Sequence, residues 1–172
     1  MTKKTYELSD KCIDLVKNAE KRKPLGSGSK ISEFKENLTE IRGEQVYSNK
    51  NERLEIDFFV KRLNFPGIQT MDPRIVTISP GKTNERHRHA HESLFVIIKG
   101  DAEVLIGENT VSAKSGDILF VPRWEIHRTR NTSKTNELVV LAITDFGFTS
   151  AVLGDYDKRT RLSNNGDDSL DK

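Results

Sequence analysis

The stretch "HRHAHESLFVIIKG" (87–100) places three histidines directly before a run of residues typical of a β-strand. The chain has four histidines, and His87, His89 and His91 alternate within five positions. Residues i and i+2 of an extended segment point to the same side, so His87 and His89 are expected to project together, with Arg88 facing away. Because neutral imidazole is a good ligand for divalent transition metals, the stretch favours a metal site.

Short strand-like segments continue on both sides of this stretch. Runs rich in Val, Ile and Phe recur with a period of two from residue 54 onwards, and turn-forming residues separate them. This spacing predicts an all-β sandwich or small barrel rather than a parallel α/β sheet. The runs are "LEIDFFVKRL", "RIVTIS", "SLFVIIKG", "AEVLIG", "TVSA", "DILFVP" and "ELVVLAIT".

The same alternation predicts which side chains line the interior. Phe95 and Ile97 have the parity of His89, so we expect them inside, near the histidines. Further interior positions are predicted on the other runs, at Leu105, Phe120, Val139 and Leu141.

The fourth histidine, His127, lies in "WEIHRTRN" (124–131), just after the run "DILFVP". If a closed barrel brings this segment beside residues 87–91, three imidazoles converge inside. Two other readings stay open from spacing alone. The histidines could form an exposed pair that chelates metal by chance, or each could be an ordinary hydrogen-bonded polar residue.

The two ends of the chain differ from the middle. A helical face of Ile31, Phe34, Leu38 and Ile41, followed by Gly43, predicts a helix near the N-terminus. We therefore predict three parts: short N-terminal helices in residues 1–50 that cap one face of a sheet, a β-barrel in residues 51–154, and a polar, disordered tail in residues 155–172.

Composition excludes several classes of protein. The chain has 172 residues and a formal net charge of +2, which predicts one domain and gives no electrostatic signature of nucleic-acid binding. Cys12 is the only cysteine, so an internal disulfide and a cysteine zinc cage are excluded. The N-terminal residues have no apolar signal region and no run is long enough to span a membrane, so we expect a cytoplasmic protein.

The histidine segments resemble the two motifs of the cupin superfamily. The first motif, G-x5-H-x-H-x3,4-E-x6-G, is matched at Gly81, His87, His89 and Gly100. The second motif is G-x5-P-x-G-x2-H-x3-N. It is matched in every spacing at Gly116, Pro122, His127 and Asn131, with Trp124 in the usual glycine place. This resemblance, over roughly residues 71–148, implies a double-stranded β-helix, or jelly-roll barrel, with one metal ion inside.

One position departs from the cupin pattern. The glutamate ligand of the family should fall at position 93, where this chain has Ser93. Glu92 is one position early and points to the opposite side of a regular strand, although a bulge at residues 90–91 could rotate it inwards. The resemblance therefore implies that His87, His89 and His127 are the ligands, with His91 and Glu92 as reserve candidates.

Cupins without the glutamate include ring-cleaving dioxygenases of the gentisate type, which this chain resembles most. The resemblance implies a non-haem Fe2+ oxygenase that acts with O2 on a small acidic or enolisable substrate, in a homodimer. Mn2+, Ni2+ and Zn2+ are the alternative metals. Two other functions stay open: a non-redox isomerase, lyase or decarboxylase, and a module that binds a small ligand without catalysis.

Several arginines flank the two motifs, and an arginine fork is the usual partner of a carboxylate. Strand parity turns Arg88, Arg128 and Arg130 outwards. Arg123 is expected near the barrel entrance, so we predict that it orients an acidic substrate. The alternative for Arg123 is a solvated surface residue, and Trp124 beside it is expected to pack at the rim of the site.

Overall fold

The computed structural model describes residues 35, 37, 38 and 43–153. Nearly all the regular structure in this part of the chain is β-sheet, with a 3-10 turn at Glu52–Leu54 and one α-helix. The strands are β1 (Glu44–Asn51), β2 (Ile56–Arg62), β3 (Asp72–Ile78), β4 (Ser93–Lys99), β5 (Asp101–Ile106), β6 (Asn109–Lys114), β7 (Ile118–Val121), β8 (His127–Asn131) and β9 (Leu138–Thr144), and the helix is α1 (Phe146–Leu153).

The strands form two antiparallel sheets that enclose one core. The larger sheet has the order β1-β2-β3-β9-β4-β7 and the smaller sheet has the order β6-β5-β8. Both sheets contribute side chains to a single apolar cluster, in which Ile78, Ile97, Val104 and Leu138 are almost completely buried. The predicted all-β jelly-roll fold is confirmed.

Each of the seven strand-like runs predicted from the sequence corresponds to a strand, namely β2 to β7 and β9. β1 was not predicted, and it pairs with β2, so the sheet begins at residue 44, before the boundary expected at residue 51. The predicted helices near the N-terminus and the polar tail lie outside the described residues. Among the described residues, no helix is both long and apolar enough to cross a membrane.

The predicted interior positions are correct on β4 and wrong on three other strands. Phe95 and Ile97 are buried in the core. Phe120, by contrast, is 51% exposed, and its neighbours Leu119 and Val121 point inwards. The same error of one position applies to Leu105, Val139 and Leu141, whose strands bury Val104, Val140 and Ala142 instead. The alternation was predicted correctly only on β4, the strand that follows the histidine segment directly, because the turns between the other strands change which positions face inwards.

The outer face of the larger sheet carries a groove of about 600 Å³, far from the histidines. Phe59, Ile75 and Val139 line it, and Leu38 lies against it from outside the sheet. The inner face of the same sheet looks towards the histidines and is the one that concerns the site.

Candidate metal centre

Two distant segments of the chain meet at the histidines. His87 and His127 form an isolated antiparallel bridge, in which the His87 N–H donates to the His127 carbonyl at 3.1 Å and the His127 N–H donates to the His87 carbonyl at 2.8 Å. His89 follows two residues later, and its carbonyl accepts a hydrogen bond from the Trp124 N–H at 2.7 Å. The backbone therefore fixes all three imidazoles at one place, although residues 87–91 do not form a regular strand.

The three imidazole rings face a common point. The ring of His127 lies 4.3 Å from that of His87 and 4.6 Å from that of His89, measured between centroids. One nitrogen of each ring can be chosen so that all three lie within 4.8 Å of one another. Nitrogens that bind one cation at about 2.1 Å are roughly 3.0–3.5 Å apart, so small ring rotations would complete such a site.

Backbone carbonyls set the tautomer of each ring. A carbonyl can only accept, so a neutral histidine that contacts one through Nδ1 carries its proton there and keeps a lone pair on Nε2. Such outer contacts are typical of histidines that bind metal. The Nδ1–H groups of His87, His89 and His127 donate to the carbonyls of Glu85, His91 and Glu125 at 2.8, 2.9 and 2.9 Å.

Burial keeps the rings of His89 and His127 neutral. It lowers the pKa of His127 and of His89 to about 3, and repulsion from a neighbouring histidine adds to the effect in both cases. A metal ion needs the unprotonated ring, so both histidines are ready to bind a cation at neutral pH.

The interior contains an unpaired nitrogen that could bind a metal through its lone pair. His127 is fully buried, and its Nε2 has no hydrogen-bond partner among the described residues. Leaving a buried polar atom unpaired costs about 1–3 kcal/mol. Three converging imidazole nitrogens, one of them otherwise unpaired, therefore fit a divalent transition metal.

The two reserve candidates lie apart from this cluster. His91 is buried and its ring stacks on that of His89 with centroids 3.5 Å apart, but it does not join the group of converging nitrogens. Glu92 is exposed and its carboxylate lies 3.7 Å from Arg123. Its side chain thus points away from the cluster, as strand parity predicted.

Ser93 faces the interior at the position of the family's glutamate. It is only 1% exposed, and its neighbours across the strands are Thr144 and Val121. Its hydroxyl has no hydrogen-bond partner among the described residues. The interior therefore has a short hydroxyl where the cupin pattern has a carboxylate.

Arg123, the residue predicted to orient a substrate, is engaged with the protein itself. Its guanidinium forms an ion pair with Asp145 and donates to the Ala90 carbonyl at 2.6 Å. It also donates to the Thr149 hydroxyl at 3.1 Å. These contacts tie the histidine loop to the start of α1.

Two features of the site were not predicted from the sequence: the inward position of Arg74 and the left-handed backbone of Trp124. Arg74 lies on the inner face of β3, a position that the alternation within "RIVTIS" could have indicated, because Val76 and Ile78 point inwards. Trp124 has a left-handed backbone, with φ at 61°, and is half exposed. The motif already signalled this conformation, because Trp124 stands in the usual glycine place.

The fold and the histidine cluster together define a cupin domain. Residues 74–144, which are 71 of the 172 residues, match the family model described as the cupin domain. A cupin-2 domain from Rhodospirillum rubrum superposes with a TM-score of 0.54 at 17% identity, over 73% of this chain and 78% of that one. At this identity, the likeness establishes the fold.

Two curated proteins are similar to part of the chain. A 1-hydroxy-2-naphthoate 1,2-dioxygenase of Nocardioides sp. (strain KP7) is 24% identical over 80 residues, which are 46% of this chain and 21% of that protein. An uncharacterized protein of Aquifex aeolicus (strain VF5) is 36% identical over 62 residues, which are 35% of this chain and 51% of that protein. The chain thus spans about a fifth and about half of the lengths of these relatives.

Proposed function

We propose that the protein is a non-haem Fe2+ oxygenase that acts with O2 on a small acidic or enolisable substrate. His87, His89 and His127 would hold the cation. The observation that carries this proposal is the convergence of three imidazoles in a buried interior whose usual carboxylate position is Ser93. The partial likeness to a protein named as a dioxygenase supports the same class of reaction.

The charge of such a site favours an anionic substrate. Three neutral imidazoles leave a divalent cation with its full charge, whereas a carboxylate ligand would offset part of it. A substrate that binds through two oxygens, at least one of them anionic, restores the balance. Facial sites with three protein ligands have open positions for substrate and O2.

The chain's own residues would orient the reactants and exclude water. The backbone contacts of the Nδ1 atoms hold the imidazoles in one orientation, so substrate binding need not reorganise them. Phe95, whose ring lies 5.9 Å from that of His127, forms part of an apolar wall. Bound Fe2+ would supply Lewis acidity and electron transfer to this dry interior.

Metal analysis and O2 uptake test the proposal together. Purified protein is stripped with chelator, reloaded separately with Fe2+, Mn2+, Ni2+ or Zn2+, and analysed for metal per chain. O2 consumption is then followed against a panel of phenolic acids, diketones and thiols. We expect one metal per chain, and O2 uptake that depends on Fe2+ and on one class of substrate. One Fe2+ per chain without any O2 uptake contradicts the oxygenase and favours a non-redox reaction or ligand binding.

The ligand assignment has a matched control within the histidine segment. His127→Ala is expected to lose bound metal, because it removes a buried ligand nitrogen, Nε2, that has no other partner among the described residues. His91→Phe keeps an aromatic ring on His89 and is expected to retain one metal per chain. A His127→Ala protein that still holds one equivalent would refute the assignment.

A further inference from the structure

Arg74 places a buried charged side chain at the polar end of the inner face of the larger sheet. Successive inner positions of β3 are Ile78 and Val76, which belong to or pack against the core, and then Arg74. The Arg74 side chain is only 14% exposed. Charged residues are rarely buried to this degree unless they are paired or functional.

The position of Arg74 in the sheet brings it near the histidines. Arg74 lies opposite Ala142, and Ala142 lies opposite Phe95, which contacts the His127 ring. Adjacent strands are about 4.8 Å apart, so Arg74 and Phe95 are separated by about 10 Å on the same face. The residue between them is Ala142, and its small side chain leaves space between Arg74 and Phe95.

A chain of ring contacts links Arg74 to the cluster. Its guanidinium carbon lies 5.1 Å from the centroid of the Phe146 ring, which packs edge-on against His91 at 5.6 Å. His91 in turn stacks on His89.

The positive charge beside the histidines is only partly compensated. Arg62 and Arg74 lie opposite each other on neighbouring strands, and both bind the buried carboxylate of Asp72. The Nε atoms of Arg62 and Arg74 donate to this carboxylate at 3.1 and 3.0 Å. Two guanidinium groups share one carboxylate, so the group carries one net positive charge.

Ser93 supplies a second, independent indication of a ligand. Thr144 lies between Ser93 and Asp72 in the next row of the sheet, so the Ser93 hydroxyl borders the same part of the interior. This hydroxyl is 1% exposed and unpaired within the described part of the chain. A buried hydroxyl without a partner is destabilising, and a bound oxygen atom would satisfy it.

We propose that Arg74 and Ser93 form an anion subsite that receives the carboxylate of the substrate beside the three histidines. This inference rests on the proposed function and names its substrate class as a carboxylic acid with a neighbouring oxygen. Asp72 holds the Arg74 guanidinium in place, and Arg74 and Ser93 donate hydrogen bonds to the carboxylate. Arg123 takes no part, because two carboxylates, Glu92 and Asp145, lie against it and balance its charge. Arg74 shares its single carboxylate, Asp72, with Arg62.

Binding to the zinc-loaded protein tests the subsite without any turnover. Calorimetry compares salicylate with salicylamide, which has the same phenol oxygen but an uncharged amide in place of the carboxylate. We expect wild-type protein to prefer salicylate. Wild-type protein that binds neither probe, or binds salicylamide as tightly as salicylate, would overturn the subsite, whereas absent O2 uptake would refute only the oxygenase.

Arg74→Gln tests whether the preference for salicylate over salicylamide comes from Arg74 or from the metal. The loss of a charge-assisted hydrogen bond is expected to weaken salicylate binding about tenfold or more, with salicylamide changed less than about threefold. Ser93→Ala is expected to weaken salicylate binding by a few-fold. The matched control is Arg88→Gln, because Arg88 stands between two of the histidines but is exposed, and it should leave both affinities unchanged.

Zinc content reports whether each variant keeps its site. Should Arg74→Gln fail to hold one zinc per chain, Arg74→Lys replaces it, since lysine keeps the charge but lacks the planar fork. We expect Arg74→Lys to weaken salicylate binding about threefold or more. Wild-type affinity for salicylate in an Arg74 variant that retains zinc, or equal losses for the two probes, would overturn the proposal.

Discussion

At the scale of single residues, position 93 decides how much of the charge of a bound cation the protein's own ligands can balance. Because Ser93 points inwards, Ser93→Glu is expected to add a carboxylate next to the three imidazoles and to tighten zinc binding about tenfold or more. The measurement is competition for zinc against a chelator of known affinity. Glu92→Gln is the control, because the Glu92 side chain is exposed and its loss should leave zinc binding unchanged. Unchanged affinity in Ser93→Glu would mean that position 93 does not face the cation.

Trp124 offers a second test at this scale. A left-handed backbone costs a residue with a side chain about 1 kcal/mol or more, whereas glycine adopts it freely. We expect the free energy of unfolding of Trp124→Gly to exceed that of Trp124→Ala by about 1 kcal/mol. Glycine usually makes a protein less stable than alanine does, so this order is the reverse of the usual one. Urea denaturation of both variants measures the difference. An alanine variant as stable as the glycine variant would show that the backbone has relaxed.

The sequence predicted the convergence of the three histidines from the motif spacing. His87, His89 and His127 meet because motif spacing encodes a barrel closure that no local pattern reveals. Arg74 and Arg123 have the same side chain, and the sequence favoured Arg123 because it lies beside a motif. Only the fold shows that Glu92 and Asp145 both lie against Arg123, whereas Arg74 shares one carboxylate with Arg62.

At the scale of secondary-structure elements, helix α1 depends on a close approach of two backbones. A Cβ atom on Gly147 would lie 2.0 Å from the Gln69 carbonyl oxygen, so any larger residue forces the helix start away from the loop before β3. Gly147→Ala is expected to destabilise the protein by about 1–3 kcal/mol and to displace Phe146 from Arg74.

Thermal unfolding and salicylate binding to the zinc-loaded protein measure these two effects. Ser150→Ala changes a residue of the same helix without a backbone clash, so it should alter stability by less than about 0.5 kcal/mol. Equal stabilities of the two variants would contradict the close packing of α1.

The secondary-structure elements differ in how well they can be predicted from the sequence. Strands β2 to β5, β7 and β9 contain Val, Ile or Phe at alternate positions, and this pattern favours burial on one face. β6 reads "NTVSAK" and buries only Ala113. β1 reads "EQVYSNKN" and is mostly exposed, so only its pairing with β2 makes it a strand. α1 reads "FGFTSAVL", has no charged residue in its first turn or basic residue in its last turn, and is held by tertiary contacts instead.

At the scale of the whole molecule, the buried histidines couple stability to pH. In the folded protein, burial lowers the pKa of His89 and His127 to about 3 and that of His91 to about 2, from 6.5. Below pH 6.5 the unfolded chain binds protons at these positions and the folded chain does not. The free energy of unfolding of the metal-free protein must therefore fall as the pH drops from about 6.5 towards 3, by up to about 4 kcal/mol per pH unit when all three residues contribute.

Urea denaturation between about pH 7.5 and pH 5 isolates this effect, because carboxyl groups titrate mainly below that range. His91→Phe should reduce the slope by about one third, since it removes one of the three coupled protons. Bound zinc should widen the difference between folded and unfolded chains, because protonation of the unfolded histidines and loss of the metal then occur together. A free energy of unfolding that stays constant over this range would mean that the imidazoles are open to water, and the case for a dry, three-histidine interior would fail with it.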